Sequence, residues 1–347
     1  MTLSEFSYYI RRIGPIAVVG LILFIVFFVV IRLLVSVLTT SNEPTVFTPQ
    51  FGMLDPIKFS HKVDYPPSPT FTLDNIEGRP VTATSSAEIF FVPPENARFG
   101  YPQTLSFMAK AVNFSPETSY LLNETQATFE NGLQKLGVDI TNFNFTFDVN
   151  FSGQGEIFEN TIIPDKTVIV NSAIEFLRKM DRYPDDLAQG TNNIIYLKYD
   201  PVSQEFAVVT DVALANVVEV DFFPPDIDHY PIVSPKYFNS QNYVAMIFKP
   251  GGKEVIKAQI RHFAKDTSFA PPYPIKTGDQ AWEELSNGKG IIVSAGQNNS
   301  NITVREMFLG YYNAEDYQTY FQPVYVFLGD NNFAAYVPAV DEQYIKK

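Results

Sequence analysis

The chain has 347 residues, 46% of them hydrophobic, a formal net charge of −13 and no cysteine. Without thiols it can form no disulfide, zinc thiolate centre, iron–sulfur cluster or cysteine nucleophile, so its stability comes from packing alone. The acidic balance repels phosphate backbones, which sets nucleic acid aside as a partner.

The first apolar stretch, Ile16 to Leu38, reads IAVVGLILFIVFFVVIRLLVSVL and holds one charge, Arg32. At about 1.5 Å per residue it reaches ~35 Å, against a hydrocarbon core of ~30 Å, and so predicts a transmembrane anchor over residues 13–38. Ile16, Leu21, Phe24, Phe27 and Val30 are among the residues that carry it. Arg11 and Arg12 precede the run, and the positive-inside rule places a tail of residues 1–12 in the cytoplasm and the chain past the anchor outside. The run is longer than the core of a cleavable signal peptide and its exit lacks a small-residue cleavage site. Both features predict an uncleaved signal anchor held in the lipid bilayer of the cell membrane.

Residues 39–85 are rich in proline and read as a stalk or strap. Phe47, Phe51, Met53, Leu54, Ile57 and Phe59 are too many apolar residues for a solvated linker, and favour a strap laid along the folded part.

Beyond the strap one theme recurs, a short amphipathic helix followed by antiparallel strands. In a first module, 86–165, a strand over Ser86 to Val92 precedes a helix over Pro102 to Phe114 with Leu105, Met108, Ala111 and Val112 on one face. Strands follow over Ser119 to Asn131 and Val138 to Phe151, where Phe143, Phe145 and Phe147 alternate with polar residues. In a second module, 166–265, Val170, Ala173, Ile174, Leu177 and Met180 predict a helix over Val168 to Asp181. Strands are expected over Asn192 to Tyr199 and Glu205 to Val220, then a hairpin of Asn242 to Lys249 and Glu254 to Phe263. The hairpin's Gly251-Gly252-Lys253 fits a turn and lacks the spacing of a phosphate loop.

In a third module, 266–347, Thr277 and Gln280 have the spacing of a capping box, and Gly288 suits the position past a helix end. The helix is expected over Gly278 to Ser286, with Ala281, Trp282 and Leu285 inward. Strands follow over Gly290 to Ala295, Thr303 to Tyr312, Tyr320 to Leu328 and Phe333 to Val337, the last two joined by a turn at Gly329 to Asn332. The whole reads as an α+β fold: a single N-terminal transmembrane helix followed by repeated helix-on-antiparallel-sheet modules, whose sheet edges in the third unit offer docking places.

Chemistry is sparse. His61, His229 and His262 are isolated in sequence, and the one metal candidate is Asp226, Asp228 and His229, since alternate carboxylates on an extended segment point to one side. No nucleophile elbow, zinc-protease helix or dinucleotide fingerprint occurs, and no cofactor is implied. Six N-x-S/T triplets begin at Asn113, Asn123, Asn144, Asn150, Asn298 and Asn301.

The run from Asp279 through Val340, with AWEELSNGKG, LGYY, FQPVYVFLGD and FAAYVPAV, resembles the PepSY-like modules of the YycH/YycI regulatory-protein family. Ala281, Leu285, Gln322, Pro323, Tyr325 and Tyr336 occupy what look like that family's positions, and with Trp282 they are the expected module core. The resemblance implies a single-span extracytoplasmic protein that acts by binding a partner, typically a membrane histidine kinase. The expected function is therefore an interaction or regulatory protein of the bacterial cell envelope, bound to another membrane or envelope protein. The alternative is an envelope glycan-binding or glycan-cleaving protein, motivated by 15% aromatic residues and the acidic surface. Aromatic residues in a groove flanked by two carboxylates would favour it.

Overall fold

A computed structural model of the protein describes residues 21, 23–32, 49–64, 69–97, 99–115, 118–151, 155–296 and 301–347, which fall in two units, Met1–Phe47 and Thr48–Lys347. In the first unit, residues 23–32 form a helix, α1, whose Phe24, Phe27 and Val30 side chains are exposed, as is Leu21. The rest of the expected anchor, residues 13–20, 22 and 33–38, lies outside the described residues. Among the described residues no helix is long and apolar enough to cross a membrane, which overturns the expected transmembrane anchor. Ile16, Arg11 and Arg12 lie outside the described residues.

The second unit runs through β1 (Thr70–Leu73), β2 (Ser86–Glu88), β3 (Phe90–Phe91), α2 (Tyr101–Ala111), β4 (Leu121–Asn123), β5 (Gln126–Glu130), β6 (Gln134–Asp139) and β7 (Phe145–Val149). It continues with α3 (Lys166–Lys179), α4 (Asp185–Gln189), β8 (Thr191–Asp200), β9 (Glu205–Val208), β10 (Val217–Phe223), β11 (Ile232–Val233), β12 (Tyr243–Lys249), β13 (Gly252–Ile260) and β14 (Pro272–Pro274). Last come α5 (Gly278–Ser286), β15 (Ile291–Ser294), β16 (Asn301–Tyr312), β17 (Tyr320–Phe321), β18 (Pro323–Gly329) and β19 (Phe333–Pro338).

Repeated helix-on-sheet modules are not what forms. The chain is mostly β, and strands expected in two separate modules share one nine-stranded antiparallel sheet ordered β4-β5-β6-β7-β13-β12-β10-β8-β9. The join is β7 to β13, where Phe147 lies opposite Ala258 and Phe145 opposite Ile260. These pairs extend one apolar row across the sheet, so α2 and α3 cover the same face and share one core. Leu105 and Met108 of α2, and Ile169, Ala173 and Leu177 of α3, meet Phe145, Val218, Val220 and Met246 there. Neither helix alone is wide enough to cover so broad a sheet, which is the physical reason the two modules merge.

Three long strands expected from alternation are broken by local hydrogen bonding. Glu124, with φ +51°, turns the chain between β4 and β5. Between β6 and β7, the Asp139 carboxylate accepts from the Thr141 amide (2.9 Å) and hydroxyl (2.6 Å). Asp211 likewise accepts from the Ala213 amide at 3.0 Å between β9 and β10. Asp and Asn offer the backbone such turns in competition with a continued strand.

On the second face of the nine-stranded sheet, Leu197, Tyr199, Val217, Ala245 and Ile247 form a smaller apolar cluster beside Phe158. Farther along that face β10 carries Glu219 and Asp221. Asp221 is fully buried: its Oδ2 accepts from the Ser240 amide at 2.8 Å, and its Oδ1 has no partner. Burial pushes its carboxyl up to about 7, helped by the Glu219 charge and opposed by the Ser240 bond. Next to Ser240, the Gln241 amide donates to the carbonyls of Arg261 and Ala314, both at 3.1 Å, tying this sheet to the C-terminal one.

The C-terminal sheet is ordered β1-β16-β18-β19-β15, with β11 also pairing β16. Strict alternation divides it: Tyr325, Phe327, Ala335 and Val337 face α5, while Val324, Val326, Ala334 and Tyr336 face the other side. The capping box at Thr277 and Gln280 is formed, and Ala281 and Leu285 are the buried positions of α5. Ile57 and Phe59 pack against the outer side beside Tyr312 and Tyr336. The Val63 amide donates to the Ile292 carbonyl at 2.9 Å, so the β15 edge is covered, and β1 and β11 cover the far side of β16. Leu54, fully buried, bridges to Ile345 near the other end of the chain.

Candidate functional site

A cleft of about 490 Å³ opens where α3 ends, lined by Glu95, Asn142, Phe143, Arg178, Asp181, Arg182, Tyr183, Pro184, His262 and Ala264. Its first wall is the end of α3. There the Asp181 amide donates to the Arg178 carbonyl and the Arg182 amide to the Leu177 carbonyl, both at 2.9 Å. That is the bonding of a Schellman stop, which places residue 181 in the left-handed region, at φ +54°. Glycine is the usual occupant of that position, and aspartate, although it visits the region more readily than most residues, suits it less well. A carboxylate at a helix C-terminus also opposes the helix dipole. Two local rules thus disfavour Asp181, and among the described residues no cation pairs with it.

Arg178 is exposed and its guanidinium lies over the Tyr183 ring at 5.7 Å, while Phe222 meets the same ring edge-on at 5.8 Å. This cation–π contact leaves the guanidinium N–H donors without a paired carboxylate among the described residues. Tyr183 itself is pushed up by burial, an effect that the Arg178 charge opposes.

The opposite wall hangs on Asn144, only 1% exposed. Its Oδ1 accepts from Arg182 Nη2 and from the His262 amide, both at 3.0 Å, so one side chain from the turn before β7 clamps the α3 exit to the β13 exit. Its Nδ2 has no partner. The His262 ring then meets Asp186 of α4 through Nε2 and Oδ2 at 2.8 Å. Burial pushes the Asp186 carboxyl up, but the His262 hydrogen bond and charge, Lys265 and the Leu187 amide outweigh it and hold the group below the usual carboxylate range. Lys265 is pulled down by its own burial, against the pull of Asp186.

The metal candidate is not assembled. Ile227 and Tyr230 exchange both backbone hydrogen bonds (3.0 and 2.8 Å) around Asp228 and His229, whose φ values are +47° and +71°. This is the two-residue turn of a tight hairpin, in which successive side chains diverge. Among the described residues no group of three or more acidic or histidine side chains converges on a metal position, Asp226 included. Asp228 instead adds its charge to burial in raising Glu88.

The module-core residues are split between the two faces of the C-terminal sheet. Ala281, Leu285 and Tyr325 share the α5 side, where Trp282 is half-buried against Phe71 and Phe327. Tyr336 lies on the other side and donates to the Ser234 carbonyl at 2.7 Å; buried Pro323 begins β18 opposite Tyr311. None of them lines the cleft. The cleft's own residues include Arg178, Asp181, Arg182 and Tyr183, from a run whose only sequence signal is an acid placed among bases just past an apolar stripe. Asn144 was visible as the start of an N-x-T triplet and as a polar residue between Phe143 and Phe145 expected on a strand's wet face; it is buried instead, which removes it as an acceptor for a glycan.

No family model matches the chain, and no curated protein matches it. Among solved structures it is similar to an uncharacterized protein from Eubacterium rectale, at 11% identity and a TM-score of 0.38, covering 77% of this chain and 87% of that one. At that level of likeness nothing about function follows.

Proposed function

We propose that this chain is a binding protein that acts by capturing a partner, with the cleft at the end of α3 as its recognition site. The carrying observation is the convergence of Arg178, Asp181, Arg182 and His262 on one concavity, held by the Asn144 clamp, in a chain whose net charge is −13. Concave sites with a few convergent polar groups on a rigid frame are the usual form of a specific binding site. A regulatory role is supported by the likeness of residues 279–340 to the PepSY-like modules of the YycH/YycI family. An extracytoplasmic location is part of this reading and rests on the same family likeness; protease added to intact cells tests it by digesting the second unit before lysis.

The experiment places a photo-crosslinking amino acid at Ala264 in the cleft and, as control, at Ile76, fully exposed and absent from the cleft's lining. One discrete adduct at Ala264, absent at Ile76 and lost in Arg178→Glu, is the expected result. Equal adducts at both positions would overturn the assignment.

A glycan-binding reading has one observation behind it, since Phe143 and Tyr183 stand in the cleft with Glu95 and Asp181. Against it, the Tyr183 ring is already covered by Arg178 and met by Phe222. Cell-wall polymer that perturbs the Tyr183 ring resonances would restore it, and no perturbation would retire it.

A further inference from the structure

The geometry points to a zwitterionic ligand in this cleft, an amino acid or a dipeptide with both ends free, with its carboxylate on Arg178 and its ammonium on Asp181. The inference rests on the cleft being the recognition site and names what the site takes.

Two groups of opposite sign stand three residues apart on one wall, and neither has a hydrogen-bonding or ion-pairing partner among the described residues. Arg178 rests against the Tyr183 ring, and its planar guanidinium offers paired donors that match a carboxylate. Asp181 is the more telling residue. It occupies a left-handed position suited to glycine and sits where the helix dipole repels it, so α3 would end more stably without it. Local cost without local return is the mark of a residue kept for a ligand.

The remaining lining supports the same class of ligand. Phe143 and Pro184 supply apolar surface for a side chain, and about 490 Å³ holds a single amino acid or a dipeptide. A simple anion would leave the Asp181 carboxylate facing it, and a simple cation would face Arg178. A ligand carrying both charges satisfies both groups at once.

Isothermal titration of the full chain tests this with alanyl-phenylalanine, its N-acetyl form, its C-terminal amide, acetate and inorganic phosphate. The free dipeptide is expected to bind at a single site, and blocking either end to weaken it by about tenfold or more, the size of one charge-assisted hydrogen bond. Arg178→Gln is expected to abolish the discrimination against the amide only. Asp181→Gly is expected to abolish the discrimination against the N-acetyl form only, while raising stability, so misfolding cannot explain the loss. Acetate or phosphate binding as tightly as the dipeptide, or no binding by any probe, would overturn the ligand class. If the Ala264 adduct persists in that case, the partner-capture reading stands and only the ligand class fails; loss of both removes the site.

Discussion

Replacing Asp221 by asparagine should make the protein more stable at pH 8 and change it little near pH 4. Asp221 is fully buried on β10 and accepts one hydrogen bond, from the Ser240 amide at 2.8 Å, so its charged form is poorly solvated and its carboxyl rises from 3.8 to about 7. An aspartate raised on folding holds its proton in the native state while the unfolded chain has lost it. Between pH 3.8 and about 7 the native state therefore binds more protons, and stability falls as pH rises across that window. At 1.36 kcal/mol per pH unit the loss reaches about 4 kcal/mol, a large share of a typical 5–15 kcal/mol total. Asparagine keeps an oxygen for the Ser240 amide and removes the titration. Urea unfolding of both proteins from pH 4 to pH 8.5 should show curves that diverge steadily up to about pH 7 and then run parallel. Curves parallel throughout would show that Asp221 is solvated in the native state and would refute the argument.

Gly278→Ala should cost about 1–3 kcal/mol in thermal or urea unfolding, because a methyl there falls within contact distance of the Val81 carbonyl oxygen, which packs against the first turn of α5. Leu54→Ala should cost about 2–5 kcal/mol by the same measurement, since the side chain is fully buried beside Ile89, Tyr273 and Val340. Asp186→Asn should cost about 1–3 kcal/mol at pH 7, with the deficit shrinking as pH falls through the native carboxyl's lowered value, because that stabilisation exists only while Asp186 is ionised. A pH-independent deficit would assign the loss to packing.

Local structure was largely legible in the sequence, because local signals fix it. The capping box at Thr277 and Gln280 and the apolar stripes of α2, α3 and α5 each rest on residues within a turn or two of one another. The sheet was not legible. Alternation in Phe145 and Phe147 shows that a strand has one buried face but not that its neighbour is β13, more than a hundred residues later. Modules drawn in chain order therefore separated strands that pair. The cleft was missed for the same reason: Asn144, Arg182 and His262 belong to three distant segments, and Arg178 reads in sequence as an ordinary base ending a helix. Asp226, Asp228 and His229 were misjudged because a tight turn, not an extended segment, carries them.

The meeting of Leu54 with Ile345 bears on how the chain reaches its native state during synthesis. The Leu54 amide donates to the Tyr344 carbonyl and the Lys346 amide to the Leu54 carbonyl, both at 2.8 Å, while Lys346 pairs with Asp55. Leu54 and Asp55 thus wait for Tyr344 to Lys346 to leave the ribosome, with nearly three hundred residues of intervening chain to close. Until then Leu54 and Ile57 lack their final cover, and the nascent chain passes through a stage with apolar surface open to chaperones or to other copies. A chain cut before Tyr344 would prolong that stage indefinitely.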